Sequence, residues 1–336
     1  MKISNLSAGY QKKIVVRDLT IDVAEGEIIS LIGPNGGGKS TLLKSISGEL
    51  DKIAGSVYLG EDEIKNIPLK ELAKKMSIVN TERVRPEHMS AFDVVMSGRL
   101  PHTDGFGLNS KEDRTIALKA CEMMNIEEFL TVPFSALSDG QKQRTLIARA
   151  ICQEPEYLIM DEPTSYLDIR HRLEMMDVVK KLAGQKITVI MSLHEIELAL
   201  EISDRVILVK ADGTTLCESP AKVIESGVIK ELYGLTDEMY ERVKKQLPIV
   251  KQAPEKRHSS YFLNKECEYY PCHKLLEEKF SCLFCYCPLY DIPDCGGSYT
   301  YTSKGVKNCR DCTFPHDRDN YSAVIKKLKD KMYGKS

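Results

Sequence analysis

Gly33-Pro34-Asn35-Gly36-Gly37-Gly38-Lys39-Ser40-Thr41 fits the pattern G-x-x-x-x-G-K-[ST], and its residue types suit one task, holding phosphate. Glycines let the backbone wrap closely around phosphate oxygens with its N–H groups pointing inward, and a helix starting there adds a partial positive charge. Lys39 neutralises phosphate charge, and Ser40 offers the hydroxyl expected on a phosphate-bound Mg²⁺. A second constellation closes an apolar run: Tyr157-Leu158-Ile159-Met160 ends in Asp161 and Glu162, so a buried strand delivers two carboxylates at its C-terminal edge. Asp161 is the candidate Mg²⁺ ligand, directly or through a bound water, and Glu162 is placed to polarise an attacking water as general base. A third lies far downstream, where eight of eleven cysteines fall between Cys267 and Cys312. Cys267-x4-Cys272-His273, Cys282-x2-Cys285-x-Cys287, Cys295-Gly296-Gly297 and Cys309-x2-Cys312-x3-His316 have the spacing of metal ligands, with glycine and proline turns to gather them.

These groups need elements to hold them. Residues 1–234 alternate β-branched runs with helical patterns, the form of a mainly parallel sheet covered by helices. The clearest strands are Glu27–Ile32, just before the glycine loop, then Tyr157–Met160, Ile187–Ser192 and Arg205–Val209. Residues 87–154 lack such strands and read as a helical insert, with helices over Lys111–Met124 and Gln141–Cys152. Residues 235–262, rich in charge and proline towards their end, read as a linker, and residues 263–336 as a separate unit. That unit ends in helical spacing over Asn320–Lys331, where Lys326, Lys327, Lys329 and Lys331 suit a solvated helix, or else a contact with an anionic membrane surface.

Bulk properties narrow the classes. With 336 residues the chain has room for one large domain and a smaller one, and 47 basic against 49 acidic residues give a formal charge of −2. Nucleic acid is therefore not the expected partner. Met1–Lys13 lacks the apolar core of a signal peptide, and no run reaches the ~18 apolar residues of a spanning helix, so the expected place is cytoplasmic, as a free or peripheral protein. A reducing compartment favours metal ligation over disulfides for the clustered cysteines: structural zinc first, an iron–sulfur or other redox metal second, inert thiols or disulfides last. Cys121, Cys152 and Cys217, scattered through helical and strand contexts, read as core thiols.

The order of motifs over residues 1–234 resembles the ATP-binding cassette family. Leu137-Ser138-Asp139-Gly140-Gln141 is similar to its signature L-S-G-G-Q, Ser165-Tyr166-Leu167-Asp168 to its D-loop, and His194 sits where its switch histidine is found. Tyr10 matches the aromatic that stacks on adenine. The resemblance implies an α/β P-loop ATPase domain with a helical subdomain, which binds ATP and Mg²⁺ as a head-to-tail homodimer with nucleotide sandwiched between copies. Ser138, Gly140 and Gln141 of one copy would complete the γ-phosphate site of the other, and His194 would hold the attacking water in line with Glu162. Two positions depart from the pattern: Thr81 stands where a glutamine normally contacts Mg²⁺ and water, and Asp139 places an acid where the signature has glycine.

Asp93–Arg99, the Tyr10 region and Ser192-Leu193-His194-Glu195-Ile196-Glu197-Leu198-Ala199 look most like the branch importing iron-siderophore, haem and cobalamin chelates. That implies a membrane permease and an extracytoplasmic binding protein as partners, with the ATPase on the inner face of the membrane and a coupling helix docked over residues 81–108. The C-terminal unit resembles a small cysteine-rich domain attached to some cobalamin-synthesis proteins, which turns the cargo expectation towards cobalamin. Its candidate ligands are Cys267, Cys272, Cys282, Cys285, Cys287, Cys295, Cys309 and Cys312. Two other readings stay open: a soluble cassette protein of metal-centre assembly or repair, and a cassette that binds ATP as a clamp without useful turnover.

Overall fold

The computed structural model describes residues 1–11, 13–80, 86, 88–103, 110–247, 288–290, 292, 295–301, 307–309 and 312–332. The chain divides into two compact units, Met1–Lys251 and Gln252–Ser336.

The first unit is built on a six-stranded sheet in the order β10-β9-β3-β8-β7-β6. These strands are β3 (Ile28–Ile32), β6 (Met76–Val79), β7 (Tyr157–Met160), β8 (Thr188–Ser192), β9 (Arg205–Val209) and β10 (Thr215–Glu218), all parallel except the β9–β10 pair. Central strands of such a sheet are covered on both faces, and the side chains divide accordingly. Ile28 and Ile32 of β3 join one apolar cluster while Ile29 and Leu31 join another, and Leu158 and Met160 of β7 part from Ile159 in the same way. The helix α1 (Lys39–Ser47) follows β3, while α6 (Ile169–Gly184) and α7 (Ile196–Ile202) connect β7 to β8 and β8 to β9.

A second, antiparallel sheet, β2-β1-β4-β5, was not foreseen from the sequence. It comprises β1 (Lys2–Tyr10), β2 (Lys13–Asp22), β4 (Ala54–Leu59) and β5 (Asp62–Glu63). Register shifts break its β1–β2 pairing, and Asn5 and Asp18 adopt positive φ of 48° and 50°, so its apolar alternation slips out of phase. The sheet still buries Ile3, Leu6, Val16 and Val57, in one cluster with Leu42 and Ile46 of α1.

The insert folds as helices, with α2 (Leu69–Lys75) leading into β6, then α3 (Ala91–Met96), α4 (Lys111–Met123) and α5 (Asp139–Cys152), the last packed on both α3 and α4. Each of these three starts with a serine in a reciprocal capping box, Ser90 with Asp93, Ser110 with Asp113 and Ser138 with Gln141. Such caps stabilise short helices by about 1 kcal/mol each. Buried Arg99 ties the group together: its Nε donates to Asp113 Oδ1 at 2.8 Å, and its Nη1 to the Cys152 carbonyl at 2.8 Å and Glu154 Oε2 at 2.9 Å. Helices α8 (Pro220–Ser226), α9 (Val228–Leu232) and α10 (Asp237–Lys244) follow. The segment read as linker thus contains α10, whose Tyr240 and Val243 pack against the larger core.

In the second unit the described residues form a two-stranded ribbon, β11 (Thr300–Tyr301) with β12 (Lys307–Asn308), and the helix α11 (Tyr321–Met332). Their apolar cluster is small, with Leu289, Cys295 and Val324 buried. Among the described residues of the chain, no helix is long and apolar enough to cross a membrane.

Candidate functional site

The glycine loop leaves β3 and enters α1 as its spacing implies, and its first and last glycines are sterically required. A Cβ at Gly33 would lie 2.3 Å from the Val209 carbonyl oxygen, and one at Gly38 2.6 Å from a Val15 methyl, with φ at Gly38 of 103°. No side chain caps α1, whose first residue is Lys39, so its leading N–H groups face the loop as an anion site. The buried Lys39 ammonium folds over that loop, donating to the Gly33 carbonyl at 2.9 Å and the Pro34 carbonyl at 3.2 Å. Burial lowers its pKa from the ordinary lysine value, while Glu162 and Asp161 pull it back up. Pro34, Asn35, Gly36 and Gly37 complete the loop, and Ser40 and Thr41 open the helix. The glycine-loop backbone, an ammonium and two carboxylates within its field fit a nucleotide phosphate with Mg²⁺, a hard ion that takes the oxygen ligands Ser40 and Asp161 offer.

The two acids lie where β7 leaves the sheet. Met160 pairs with Met191 of β8, so the next residues, Asp161 and Ser192, emerge side by side. Ser192 Oγ donates to Asp161 Oδ1 at 2.6 Å and accepts the Glu162 N–H at 2.9 Å. Glu162 takes φ of 48°, and its carboxylate meets His194 Nε2 at 2.6 Å. Catalytic candidates separated by thirty-two positions are thereby in direct contact. Two further links were not read from the sequence: Thr164 Oγ1 donates to Glu195 Oε2 at 3.0 Å, and Arg172 of α6 pairs with Glu195 Oε1 at 3.1 Å. Together they fasten the histidine loop to the segment after Glu162. The signal for Ser192 was a polar residue closing an otherwise apolar strand beside Asp161. No pattern marked Thr164 or Arg172.

The other nucleotide candidates lie apart from this cluster. Ser138 caps α5, accepting the Gln141 N–H at 3.3 Å while Gln141 Oε1 accepts the Ser138 N–H at 2.9 Å. Gly140 faces the Tyr166 turn, where a Cβ would come within 3.0 Å of the Tyr166 carbonyl oxygen. Tyr166 and Ile169 expose 61% and 75% of their surface beside this turn, so the signature and the D-loop form one outward face. Tyr10, at the end of β1, is 52% exposed and offers its ring to solvent as a stacking platform would. Thr81 lies outside the described residues.

In the second unit, Cys267, Cys272, Cys282, Cys285 and Cys287 also lie outside the described residues. Cys295 and Cys312 are buried and Cys309 is half-buried, all as free thiols. Burial raises the Cys309 pKa, with Lys307 opposing. The Lys307 ammonium bonds the Cys295 sulfur and the Tyr290 and Ile292 carbonyls, and lies 4.3 Å from the centre of the Tyr299 ring. Among the described residues no three His, Cys, Asp or Glu side chains converge as metal ligands. The soft sulfur donors present suit zinc or an iron–sulfur centre, and a complete ligand set would have to draw on the cysteines upstream.

Comparison with known proteins finds relatives for both units. The family model "ABC transporter" matches residues 16–165, and "Cysteine-rich small domain" matches residues 258–335. An uncharacterized ABC transporter ATP-binding protein of Methanocaldococcus jannaschii is 43% identical over 244 residues, covering 72% of this chain and 84% of the relative. The iron(3+)-hydroxamate import ATP-binding protein of Bacillus subtilis is 37% identical over 241 residues, covering 71% and 89% respectively. Among solved structures, an inward-facing putative metal-chelate type ABC transporter matches with a TM-score of 0.59 at 28% identity, covering 69% of this chain and 87% of that one. A dimeric ATP-binding cassette in a post-hydrolysis state with ADP and Pi matches at the same TM-score and identity, covering 65% and 98%. The chain belongs to the ATP-binding proteins of ABC transporters, a family that hydrolyses ATP, and carries a cysteine-rich small domain after the cassette.

Proposed function

We propose that this chain is the ATP-hydrolysing subunit of an importer for an iron chelate, working as a homodimer under membrane permease subunits at the inner face of the cell membrane. The observation that carries the reading is its likeness, over 89% of the relative's length, to a protein that serves iron(3+)-hydroxamate import. A 30% identical match to the ferric enterobactin transport ATP-binding protein of Escherichia coli, over 85% of its length, supports the same class of cargo. A corrinoid cargo, suggested by the cysteine-rich unit alone, is the alternative to an iron chelate.

The site supports the chemistry. Lys39 would exchange the Gly33 and Pro34 carbonyls for phosphate oxygens, and the N–H groups at the start of α1 would hold the same anion. Mg²⁺, held by Ser40 and Asp161, would supply charge neutralisation across the phosphates. Glu162 would orient and polarise water, with His194 keeping that carboxylate in line, a positioning effect more than proton transfer. Ser138, Gly140 and Gln141 would act on the nucleotide of a second copy, consistent with their outward face beside Tyr166.

The test is co-purification of the tagged full-length chain from detergent-solubilised native membranes, with mass spectrometry of what stays bound. A multi-spanning permease at equal stoichiometry is expected, with uptake of labelled iron chelate, but not of labelled cobalamin, lost on disruption of this chain. Soluble metal-assembly proteins alone, with no permease, would overturn the reading.

A further inference from the structure

We propose that Ser192 is the positioning residue that sets both acids of the nucleotide site at once, Asp161 through its hydroxyl hydrogen and Glu162 through its hydroxyl oxygen. The inference rests on the reading of Asp161 and Glu162 as the Mg²⁺ and water-polarising groups of ATP hydrolysis. A serine hydroxyl carries one donor and two acceptor sites. Here the donor is directed by the Asp161 carboxylate at 2.6 Å, a charge-assisted bond, and one acceptor site takes the Glu162 N–H at 2.9 Å.

The geometry explains why a side chain is needed at this point. Asp161 still pairs its own N–H with the Val79 carbonyl at 2.8 Å, as a strand residue would. One residue later the chain has turned away, and Glu162 adopts φ of 48°. L-residues hold that left-handed conformation only where their surroundings enforce it. The Glu162 N–H takes its partner from a side chain, the hydroxyl of the fully buried Ser192. The same strand end fixes His194, because the Leu193 N–H between them bonds the Leu31 carbonyl at 3.1 Å. One hydroxyl thus sets the Asp161 oxygen and the Glu162 backbone, at the base of the loop whose His194 meets Glu162 at 2.6 Å. Alanine fits the cavity but supplies neither bond, and threonine supplies both.

A purely structural serine would change the melting temperature and leave the kinetics per folded molecule alone. A positioning serine changes how metal and water are held. In the full-length chain, Ser192→Ala is expected to cut kcat for ATP hydrolysis by about a hundredfold, the scale of an ångström-sized misplacement. The Mg²⁺ concentration for half-maximal binding of a fluorescent ATP analogue should rise several-fold, while affinity for the analogue without Mg²⁺ stays at the parent value. Ser192→Thr should restore both quantities to within about threefold of the parent. Ser192→Cys, close in volume with weaker bonds, should fall between them and carries the test where alanine unfolds the chain. On a Glu162→Gln background, Ser192→Ala should slow hydrolysis no further, since residues acting as a unit are not additive. Parent-like kcat and parent-like Mg²⁺ half-saturation in Ser192→Ala would overturn the proposal. Undiminished hydrolysis in Glu162→Gln alone would instead sink the reading of the acids, and the Mg²⁺ dependence of binding would still decide the role of Ser192.

Discussion

Met1–Lys251 and Gln252–Ser336 are held together by different means. The first unit buries long stretches of Ile, Leu, Val and Met on both faces of a parallel sheet, and its polar residues can therefore be placed at strand ends for chemistry. In the second, the described apolar residues bury little beyond Leu289, Cys295, Cys312 and Val324, and the Cys295 sulfur lies among the same groups that would have to form a core. A unit this small gains little from apolar burial, so a metal bound by its thiols would stabilise the fold directly. In the cassette, the site is built onto a fold that stands without it; in the cysteine-rich unit, site and fold would be the same thing.

The sharpest way to break this contrast is metal removal. Exhaustive chelation under reducing conditions is expected to unfold Gln252–Ser336, a loss on the order of 10 kcal/mol of metal-coupled folding energy, while the melting transition of Met1–Lys251 stays in place. Limited proteolysis of the full chain with and without chelator reads this directly. A metal-free second unit that still resists protease would end the idea that ligation supplies its core.

A smaller effect tests whether the cassette has a local equivalent. Asp113→Ala removes one of the two carboxylate partners of buried Arg99 and half of the α4 capping box, and should lower stability by about 3 kcal/mol in thermal melts. The hydrogen bonds from Ser110 and Arg99 hold the Asp113 pKa down at about 2, against an ordinary 3.8. A depressed carboxylate contributes stability that is complete above its unfolded value and is lost as pH falls through its folded one. The parent should therefore lose this contribution between about pH 4 and pH 2, and the Asp113→Ala variant should show a flatter acid limb over the same window.

The smallest expected effect separates fold from function in the signature. Ser138→Ala should cost about 1 kcal/mol through loss of the α5 cap. Ser138→Asp should keep the cap and its stability, yet weaken ATP-driven dimerisation in sedimentation experiments, because a carboxylate would face the partner's phosphates. Equal dimerisation by the two variants would confine Ser138 to capping.

Much of the site was legible beforehand where local rules govern it. The glycine loop is specified by its own steric needs, as Gly33 against Val209 and Gly38 against Val15 show, and strands β3, β7, β8 and β9 announced themselves as continuous apolar runs. The antiparallel sheet escaped because bulges and the left-handed Asn5 and Asp18 put its pattern out of phase. Helix α10 escaped because its exposed, charged face reads as linker, although Thr236 caps it as a helix start should.

Sequence by itself determined the phosphate loop, the pair of acids at a strand end, the helical insert and the sulfur-rich second unit, since each is written in contiguous residues. Only the tertiary structure decided that Ser192 stands beside Asp161, that His194 reaches Glu162 and that Arg172 grips Glu195. Those contacts follow from the parallel register of β7 and β8 and the packing of α6 against β8 and β3, long-range pairings that no local pattern along the chain encodes.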